Sequence, residues 1–318
     1  MLDPATLAGG TEAPGVPDVL FAMPEGSAMR YDRPAAAIAD FITGYHLYAA
    51  YGPASQNKVD WFLPGTANIR VTLNAGRAAV RVGRRDHDPL PTVALFGPTT
   101  HAMRAVTNGG VIIGFGISAL GWARLFGRDA SAVRDRIVPL EQLTGPELPA
   151  RLVDILSALP DEHALKTTLD EELAPLVAEP HPDEPLIRGM MAVLVDPAVT
   201  EVAAAAERLG VSANALRQAS SRHFGMSPKL LLRRGRFLRS FMRIFRADDD
   251  PGYSRIDRSY FDVSHFLRDA DRFLGMTPRR FAKLSTPFLD GSVRARAAVL
   301  GHATQALHDI QDAPAKVG

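Results

Sequence analysis

The chain has 318 residues, enough for about two domains that each bury a core. It contains no cysteine, which excludes disulfides, iron–sulfur clusters, thiolate zinc sites and a cysteine nucleophile. The net charge is +1, but residues 1–199 carry 16 Lys/Arg and 23 Asp/Glu, whereas residues 200–318 carry 20 and 12. The positive charge of the C-terminal part favours a polyanionic partner.

Residues 1–35 are rich in Pro, Gly and Ala without a sustained period, and we predict an extended N-terminal arm. The next segment carries strand patterns. "NIRVTLNAGRAAVRVG" alternates apolar and polar side chains on either side of an Asn-Ala-Gly turn, which predicts a β-hairpin. "PTVALFGP" and "GGVIIGFGIS" are short apolar runs bounded by turn residues. Together these patterns predict a sandwich or a small barrel.

From about Gly121 the apolar period becomes helical. Two leucine-bearing helices, one on either side of Pro160–His163, are predicted to pack as an antiparallel pair. Their apolar faces either cover the barrel or form a dimer interface, and the sequence does not choose between these alternatives. The Pro-rich segment "AEPHPDEP", residues 178–185, is typical of an interdomain linker.

A ten-residue pattern occurs twice in the C-terminal part. "FGMSPKLLLR" begins at Phe224, and "LGMTPRRFAK" begins at Leu274. In each copy we expect Gly to end one helix, Ser or Thr to cap the next, and Pro to occupy its first position. The motif therefore predicts a helix stop followed at once by a helix start.

The residues before each copy predict a helix-turn-helix. We expect Thr200 to cap a helix that ends at Gly210, and Ser212 to cap a second helix that ends at Phe224. In the downstream copy, Asp262 is expected to cap a helix running to about Leu274. Two such units, joined by a helix containing "RRGRFLRSFMRIF", would enter successive major-groove segments on one face of DNA.

The charge pattern agrees with this interpretation. Residues 208–246 contain ten Lys/Arg and no Asp/Glu. Apolar residues are interleaved with these charges, so the segment is expected to fold and to present a basic surface rather than to remain a solvated charge run.

Two segments of the sequence resemble known protein domains. Residues 186–284 are similar to the DNA-binding domain of the AraC/XylS transcriptional regulators, through "LGVSANALRQASSRHFGMSP", "RRGRF" and "YFDVSHFLRDADRFLGMTPRRF". The segment from "DWFLPGTANIRVTLN" to "RIVPLEQLTG" resembles a cupin-like domain found ahead of it. The implied fold class is α+β, with an N-terminal cupin-like β-barrel with flanking helices and a C-terminal all-α tandem helix-turn-helix domain. The implied divisions are an arm at 1–35, a sensing or oligomerisation domain at 36–180, the DNA-binding domain at 184–290 and a tail at 291–318.

The resemblance implies which side chains contact DNA. In this family the outward side of each second helix reads base edges; Arg pairs well with guanine, and Asn or Gln pairs with adenine. The second unit offers less polar readout, so we expect its half-site to be recognised weakly or through DNA shape. The matching positions for base readout are Asn214, Arg217, Gln218, Val263, Ser264, Leu267 and Arg268. The candidates for phosphate contact are Ser221, Arg222, Lys229, Arg233, Arg234, Arg279 and Arg280.

Several residues are expected to have structural roles or depart from the family pattern. Arg236 is predicted to brace the fold, and His265 to pack or cap. Ser220 and Ala270 stand where the family usually has Phe, and Ser259 replaces a customary Gly. "DDDPGYSRIDRS" lacks the apolar-Ala pattern of the second unit's first helix, so that unit is expected to be loosely formed or to act as a brace.

The N-terminal domain lacks the signature of a metal enzyme. His46, His87 and His101 are isolated, and no His-x-His occurs, so we predict no metal, no cofactor and no catalysis. A pocket for a small-molecule effector inside the barrel is the preferred hypothesis. The alternative is a cupin-like enzyme with a degenerate helical domain that does not bind DNA. The residues predicted to line the pocket are Trp61, Phe62, Phe96, His101, Arg104 and Phe115.

The expected partners are double-stranded DNA, RNA polymerase as implied by the family, an effector and a second copy of the chain. No run of about 18 apolar residues and no secretory signal pattern is visible, so no membrane partner is expected. The predicted location is the cytoplasm of a bacterium, at the nucleoid when the protein is bound to DNA.

Overall fold

A computed structural model describes residues 2–245 and 253–307. Its N-terminal part is built mainly from strands and its C-terminal part from helices, in agreement with the predicted α+β class at this level. The strands are β1 (Ser27–Asp32), β2 (Ile42–Ala50), β3 (Lys58–Phe62), β4 (Ala67–Leu73), β5 (Ala79–Val82), β6 (Arg85–His87), β7 (Val93–Phe96), β8 (Met103–Thr107), β9 (Gly110–Ile117) and β10 (Ile137–Pro139).

The strands form two antiparallel sheets that pack face to face. One sheet has the order β1-β2-β9-β4-β7-β10 and the other β3-β8-β5-β6. The runs "PTVALFGP" and "GGVIIGFGIS" form β7 and β9, so these two strand predictions are confirmed. Buried side chains from both sheets, including Val82, Phe96 and Met103, share one apolar cluster. This cluster forms part of the interior of a sandwich.

The predicted hairpin is wrong. β4 pairs with β7 and β9 in the first sheet, whereas β5 pairs with β6 and β8 in the second. The Asn-Ala-Gly segment therefore carries the chain from one sheet to the other. Alternation of apolar and polar residues indicates which side of a strand is buried, but it does not indicate which strand lies beside it.

The N-terminal arm also differs from the prediction. Residues 27–32 form β1, which pairs with β2 along its whole length, from Ser27 opposite Ala50 to Asp32 opposite Tyr45. Residues 28–32 are buried. Packing covers both faces of this edge strand, so its sequence shows no simple alternation that would have revealed it.

Helices cover the outer face of the six-stranded sheet. The predicted antiparallel pair is confirmed as α3 and α4, and its leucines are buried in the same cluster as β4 and β9. The apolar faces of these helices thus cover the sheet rather than remaining open to a second copy. The helices of this part are α1 (Ala119–Phe126), α2 (Glu141–Thr144), α3 (Glu147–Ser157) and α4 (Ala164–Leu173).

The C-terminal part continues with seven helices within the described residues. They are α5 (Glu184–Val195), α6 (Val202–Arg208), α7 (Ala213–Phe224), α8 (Pro228–Phe245), α9 (Val263–Leu274), α10 (Pro278–Ala282) and α11 (Pro287–Leu300). No helix in the described part of the chain is both long enough and apolar enough to cross a bilayer.

The predicted tail begins inside α11, and most of this helix is buried. The Phe288 backbone N–H donates to Asp60 Oδ2 (2.9 Å), and the Ser292 hydroxyl lies 2.9 Å from the Tyr48 hydroxyl. α11 contacts β1 and β3, so the segment after the predicted DNA-binding region returns to the sandwich. Its alanines and glycine give little apolar signal in sequence, yet small residues allow a helix to approach a sheet closely.

Candidate DNA-recognition surface and interior cavity

α6 and α7 form a helix-turn-helix whose ends are fixed locally. Glu201, rather than the predicted Thr200, precedes the first residue of α6 and makes no side-chain cap. Gly210 adopts a left-handed conformation (φ +63°), which places the Val211 N–H on the Ala206 carbonyl (3.1 Å). The Ser212 hydroxyl then accepts from the Ala215 N–H (3.1 Å), as predicted.

α7 buries one side and exposes the other. Leu216, Ala219 and Phe224 pack into the core. Ser220, at a position where the AraC/XylS domains that the sequence resembles usually have Phe, is fully buried, and its hydroxyl donates to the Met226 carbonyl (2.6 Å). This hydrogen bond ties the helix to the turn that follows it. A polar contact therefore replaces the aromatic one at this position.

The opposite side of α7 presents amide and guanidinium groups to solvent. Asn214, Arg217 and Gln218 are all exposed, and Arg217 Nη1 donates to Asn214 Oδ1 (3.0 Å). This contact between neighbouring turns orients the guanidinium along the helix surface. The structure thus brings together the three residues that sequence analysis assigned to base readout in the first unit.

The flanking phosphate candidates have different environments. Arg222 and Lys229 are exposed, and Ser221 is partly exposed. Arg234 is not a surface residue, which corrects the prediction of phosphate contact: it is 4 % exposed, and its Nη1 donates to the Gly65 and Thr99 carbonyls (2.8 and 2.9 Å). Burial lowers the pKa of Arg234 to about 10.

The described residues that correspond to the second predicted helix-turn-helix contain no first helix. Residues 253–262 form turns up to Asp262, whose carboxylate accepts from the His265 N–H (2.7 Å) and caps α9 as predicted. The five residues of "DDDPGYSRIDRS" that precede Tyr253 lie outside the described residues. Because Ile256 is the sole large aliphatic residue in residues 253–262, this stretch has no apolar stripe with which a helix would pack.

A buried carboxylate holds α9 to α8. Asp269 is fully buried and pairs with Arg233 and, at 3.5 Å, with Arg236; the Tyr260 hydroxyl donates to it at 2.7 Å. Arg236 also stacks on the Tyr260 ring (4.3 Å) and thus braces the fold. Arg233, predicted to contact phosphate, already has an intramolecular partner. The His265 ring packs edge-on against Tyr260, in agreement with the predicted packing role.

The outer side of α9 is less polar than that of α7. Ser264 and Arg268 are exposed, Val263 is 38 % exposed, and Leu267 packs partly against the apolar cluster beneath. Arg279 and Arg280 are exposed at α10, and the Arg279 guanidinium lies 5.4 Å from the Tyr253 ring. These residues form a basic surface with few groups suited to base readout.

The helices that carry this surface are attached to the sandwich. Besides the contacts of Arg234, the Ala102 N–H donates to the Phe273 carbonyl (2.7 Å), and Trp61 packs edge-on against Phe281 (6.0 Å). Trp61 therefore supports the helical part and does not line the predicted effector pocket.

The other residues that were predicted to line the effector pocket lie in different places. Phe62 and Phe96 line cavities inside the sandwich. Phe115 is buried on the opposite face of its sheet, against the helices, and Arg104 lies beside Trp61 on the outer face of the second sheet. His101 is 42 % exposed and lies 3.6 Å from Asp135. Only the two phenylalanines are brought together around an interior space.

Sequence analysis missed most of the polar residues that surround this space. One cavity is lined by Tyr31, His46, Tyr48, Arg70 and Arg296, among others. Arg70 comes from β4 and Arg296 from α11. Alternation along "GYHLYAA" and "NIRVTL" could have identified the inward residues of β2 and β4, but nothing in the sequence indicated that α11 faces them.

The electrostatic environment of the cavity is positive. Burial, together with the charges of Arg70 and Arg296, holds the pKa of His46 well below its usual range, so its imidazole is neutral. Within the described residues, no group of three His, Cys, Asp or Glu side chains is placed to hold a metal ion.

Comparison with known proteins gives distant structural similarities. No family model and no curated protein matches the sequence. A 1.65 Å structure of ToxT from Vibrio cholerae aligns with a TM-score of 0.43 and 11 % identity, covering 75 % of this chain and 97 % of that one. An unsaturated fatty acid-bound ToxT from strain SCE256 gives 0.40 and 11 %, with coverage of 71 % and 91 %. The AraC-like transcriptional activator CuxR gives 0.26 and 14 %, with coverage of 61 % and 72 %. At these low identities and TM-scores, the function has to be argued from the residues of this chain.

Proposed function

We propose that this protein is a sequence-specific DNA-binding transcription regulator that reads bases chiefly through α7. The observation that carries the proposal is the exposed row formed by Asn214, Arg217 and Gln218 on α7, the capped second helix of the helix-turn-helix. In this motif the second helix enters the major groove, where a good bidentate contact contributes about 1–3 kcal/mol of discrimination.

The surrounding charge suits a duplex. Exposed Arg222 lies in the last turn of α7 and exposed Lys229 in the first turn of α8, and no acidic residue occurs between Arg208 and Arg246. Cations in such positions neutralise phosphates and release counterions, which stabilises the complex without selecting a sequence. The α9–α10 surface, with Arg268, Arg279 and Arg280, is proposed to hold the adjacent backbone and to add little base readout.

The sandwich is proposed to act as a cupin-like sensing domain. Its interior cavities would bind an effector, and its direct attachment to the helices through Arg234 would transmit the bound state to the DNA-binding surface. RNA polymerase is the proposed partner at a promoter, from the AraC/XylS resemblance. A homodimer is also proposed; it would use a surface other than the buried leucine faces of α3 and α4.

Selection of bound sequences from a random duplex pool, at two salt concentrations, tests the proposal. The wild-type chain should enrich one motif. The double variant Arg217→Ala/Gln218→Ala should lose that preference while keeping salt-sensitive binding, because its phosphate contacts remain. Lys229→Ala is the matched control: it should weaken binding to all sequences about equally and lower the salt dependence.

Two results would contradict the proposal. Absence of any enriched motif for the wild-type chain would remove the claim of sequence-specific binding. An unchanged motif in the double variant would show that α7 does not read the bases, even if the protein binds DNA.

A further inference from the structure

The N-terminal end of α9 exposes an apolar pair. In the described part of the chain four large apolar or aromatic side chains are exposed, and two of them, Phe261 and Val263, lie two positions apart at this end. Phe261 is 93 % exposed and directly precedes the helix cap. Its neighbours serve the fold: Tyr260 is buried, and the Asp262 carboxylate accepts from the His265 N–H. The Phe261 ring therefore extends into solvent from a stretch whose flanking residues are fixed.

The surroundings of this apolar pair are predominantly basic. Exposed Arg258 precedes the pair, and exposed Arg268 and Arg272 follow it along α9. The exposed acids of the same stretch are Asp262, which is already used as the helix cap, and Asp271. Single exposed apolar residues are common on protein surfaces, so the ring alone does not define a site. An apolar pair among arginines suits a partner that presents an apolar group between phosphates.

The size of the apolar pair favours DNA over a protein as this partner. An aromatic side chain offers about 150–250 Å² of surface, whereas each side of a standard protein–protein interface buries about 800 Å². Phe261 and Val263 together are far below the second area. A thymine methyl group in the major groove is a small apolar target, and Phe is among the side chains that contact it. In a helix-turn-helix, the N-terminal residues of the recognition helix reach the base edges.

We infer that Phe261, together with Val263, recognises the methyl group of a thymine in the major-groove segment that α9 faces. The contact selects the C5-methyl group, which distinguishes thymine from the other bases of unmodified DNA. This inference rests on the proposed DNA-binding function and names a base that the second segment recognises. It adds one apolar contact to the backbone contacts proposed for the polar side chains of α9.

The expected strength of the contact is modest. Removing solvent from the ring and the methyl group supplies the preference, because apolar burial needs no hydrogen-bonding group on the protein. Burial of one methyl group changes a binding constant by about threefold to fivefold. A contact of this size sets the preference at one base pair and leaves the polar row of α7 as the main source of specificity.

Uracil in place of thymine tests the inference, because it removes the methyl group and keeps the hydrogen-bonding groups of the base. The motif is first selected from random duplex DNA with the full-length chain, and each of its thymines is then replaced singly by uracil. For at least one thymine, the wild-type chain should bind the uracil duplex about threefold to fivefold more weakly. If every uracil duplex is bound as tightly as the thymine duplex, the inference is wrong, whereas the selected motif still supports the proposed function.

Phe261→Ser assigns the effect to the ring. This variant should bind the thymine duplex about as weakly as the uracil duplex, so that the difference between the two disappears. Val19→Ser is the matched control, because it removes a side chain that is 73 % exposed in the N-terminal part; it should keep the full preference for thymine. Persistence of the preference in Phe261→Ser, or an equal loss in Val19→Ser, would overturn the inference.

Thermal unfolding distinguishes a DNA contact from a structural role of the ring. Phe261→Ser should leave Tm unchanged, because the side chain is almost wholly in solvent. Phe261→Leu keeps an apolar contact and should retain part of the preference for thymine. A lower Tm together with complete loss of that preference in both variants would make Phe261 a structural residue. Unchanged affinity of Phe261→Ser for every duplex would leave the ring to a protein partner, and either result would overturn the inference.

Discussion

The first helix-turn-helix and the segment that corresponds to the second share the same helix ends but differ in completeness. In both, glycine in a left-handed conformation ends the second helix, and Ser227 or Thr277 begins the next. The first unit has both of its helices, whereas residues 253–262 of the second form turns. The shared Gly-Met-Ser/Thr-Pro part of the repeated pattern therefore specifies a helix boundary and does not specify the supersecondary unit around it.

The two segments are also stabilised differently. α7 is held through apolar contacts and the hydrogen bond of buried Ser220, and its outer polar row remains exposed. α9 is held through Asp269, which forms ion pairs with Arg233 and Arg236 and accepts a hydrogen bond from the Tyr260 hydroxyl. Two cations of α8, the helix between the two segments, are therefore used inside the protein. Basic residues near a proposed recognition helix can therefore be assigned to DNA only when their internal partners are known.

The largest expected effect is the loss of the Asp269 carboxylate. Asp269→Ala should lower the free energy of unfolding by about 3–5 kcal/mol, because it leaves two guanidinium groups and a tyrosine hydroxyl without their common partner. Denaturant unfolding of the full-length chain measures this change. Asp271→Ala, an exposed acid on the same helix, is the control and should change stability by less than about 0.5 kcal/mol. Similar values for the two variants would show that the carboxylate is not the main stabilising contact of α9.

A smaller effect is expected at Ser220 in the first unit. Ser220→Ala should lower the free energy of unfolding by about 1–3 kcal/mol, because the buried Met226 carbonyl loses its donor. The same denaturant experiment applies, with the partly exposed Ser221→Ala as the matched control. A neutral Ser220→Ala would indicate that the first unit depends on its apolar contacts alone.

The smallest effect is expected on the outer side of α9. Ser264→Ala/Arg268→Ala should weaken DNA binding by a similar factor for all sequences and change the enriched motif little, because we assign this side to backbone contact. Quantitative binding to the selected motif and to single-base variants measures the change. A loss of preference as large as that of the α7 double variant would show that both segments read bases equally.

Much of the first unit was predictable because its determinants are local. Ser212, Gly210 and Gly225 set helix ends through contacts a few residues away, and the period of α7 separates its buried and exposed faces. Arg234 and Arg296 could not be placed in this way, because Arg234 binds the Thr99 carbonyl and Arg296 lies beside the β2 and β4 side chains of the cavity, all more than 130 residues earlier in the chain. The prediction that β4 and β5 form a hairpin was wrong for the same reason, because the register and the partner of a strand depend on the whole sheet.

The return of α11 to the sandwich has a consequence for how the protein is made. The hydrogen bond between Tyr48 and Ser292 joins residues 244 positions apart, so the strands around the cavity leave the ribosome long before the helix that completes its wall. The wall that α11 adds to the cavity can form only after synthesis of the chain has passed α11. A nascent or prematurely terminated product would therefore carry α7 and α9 without this wall of the sandwich.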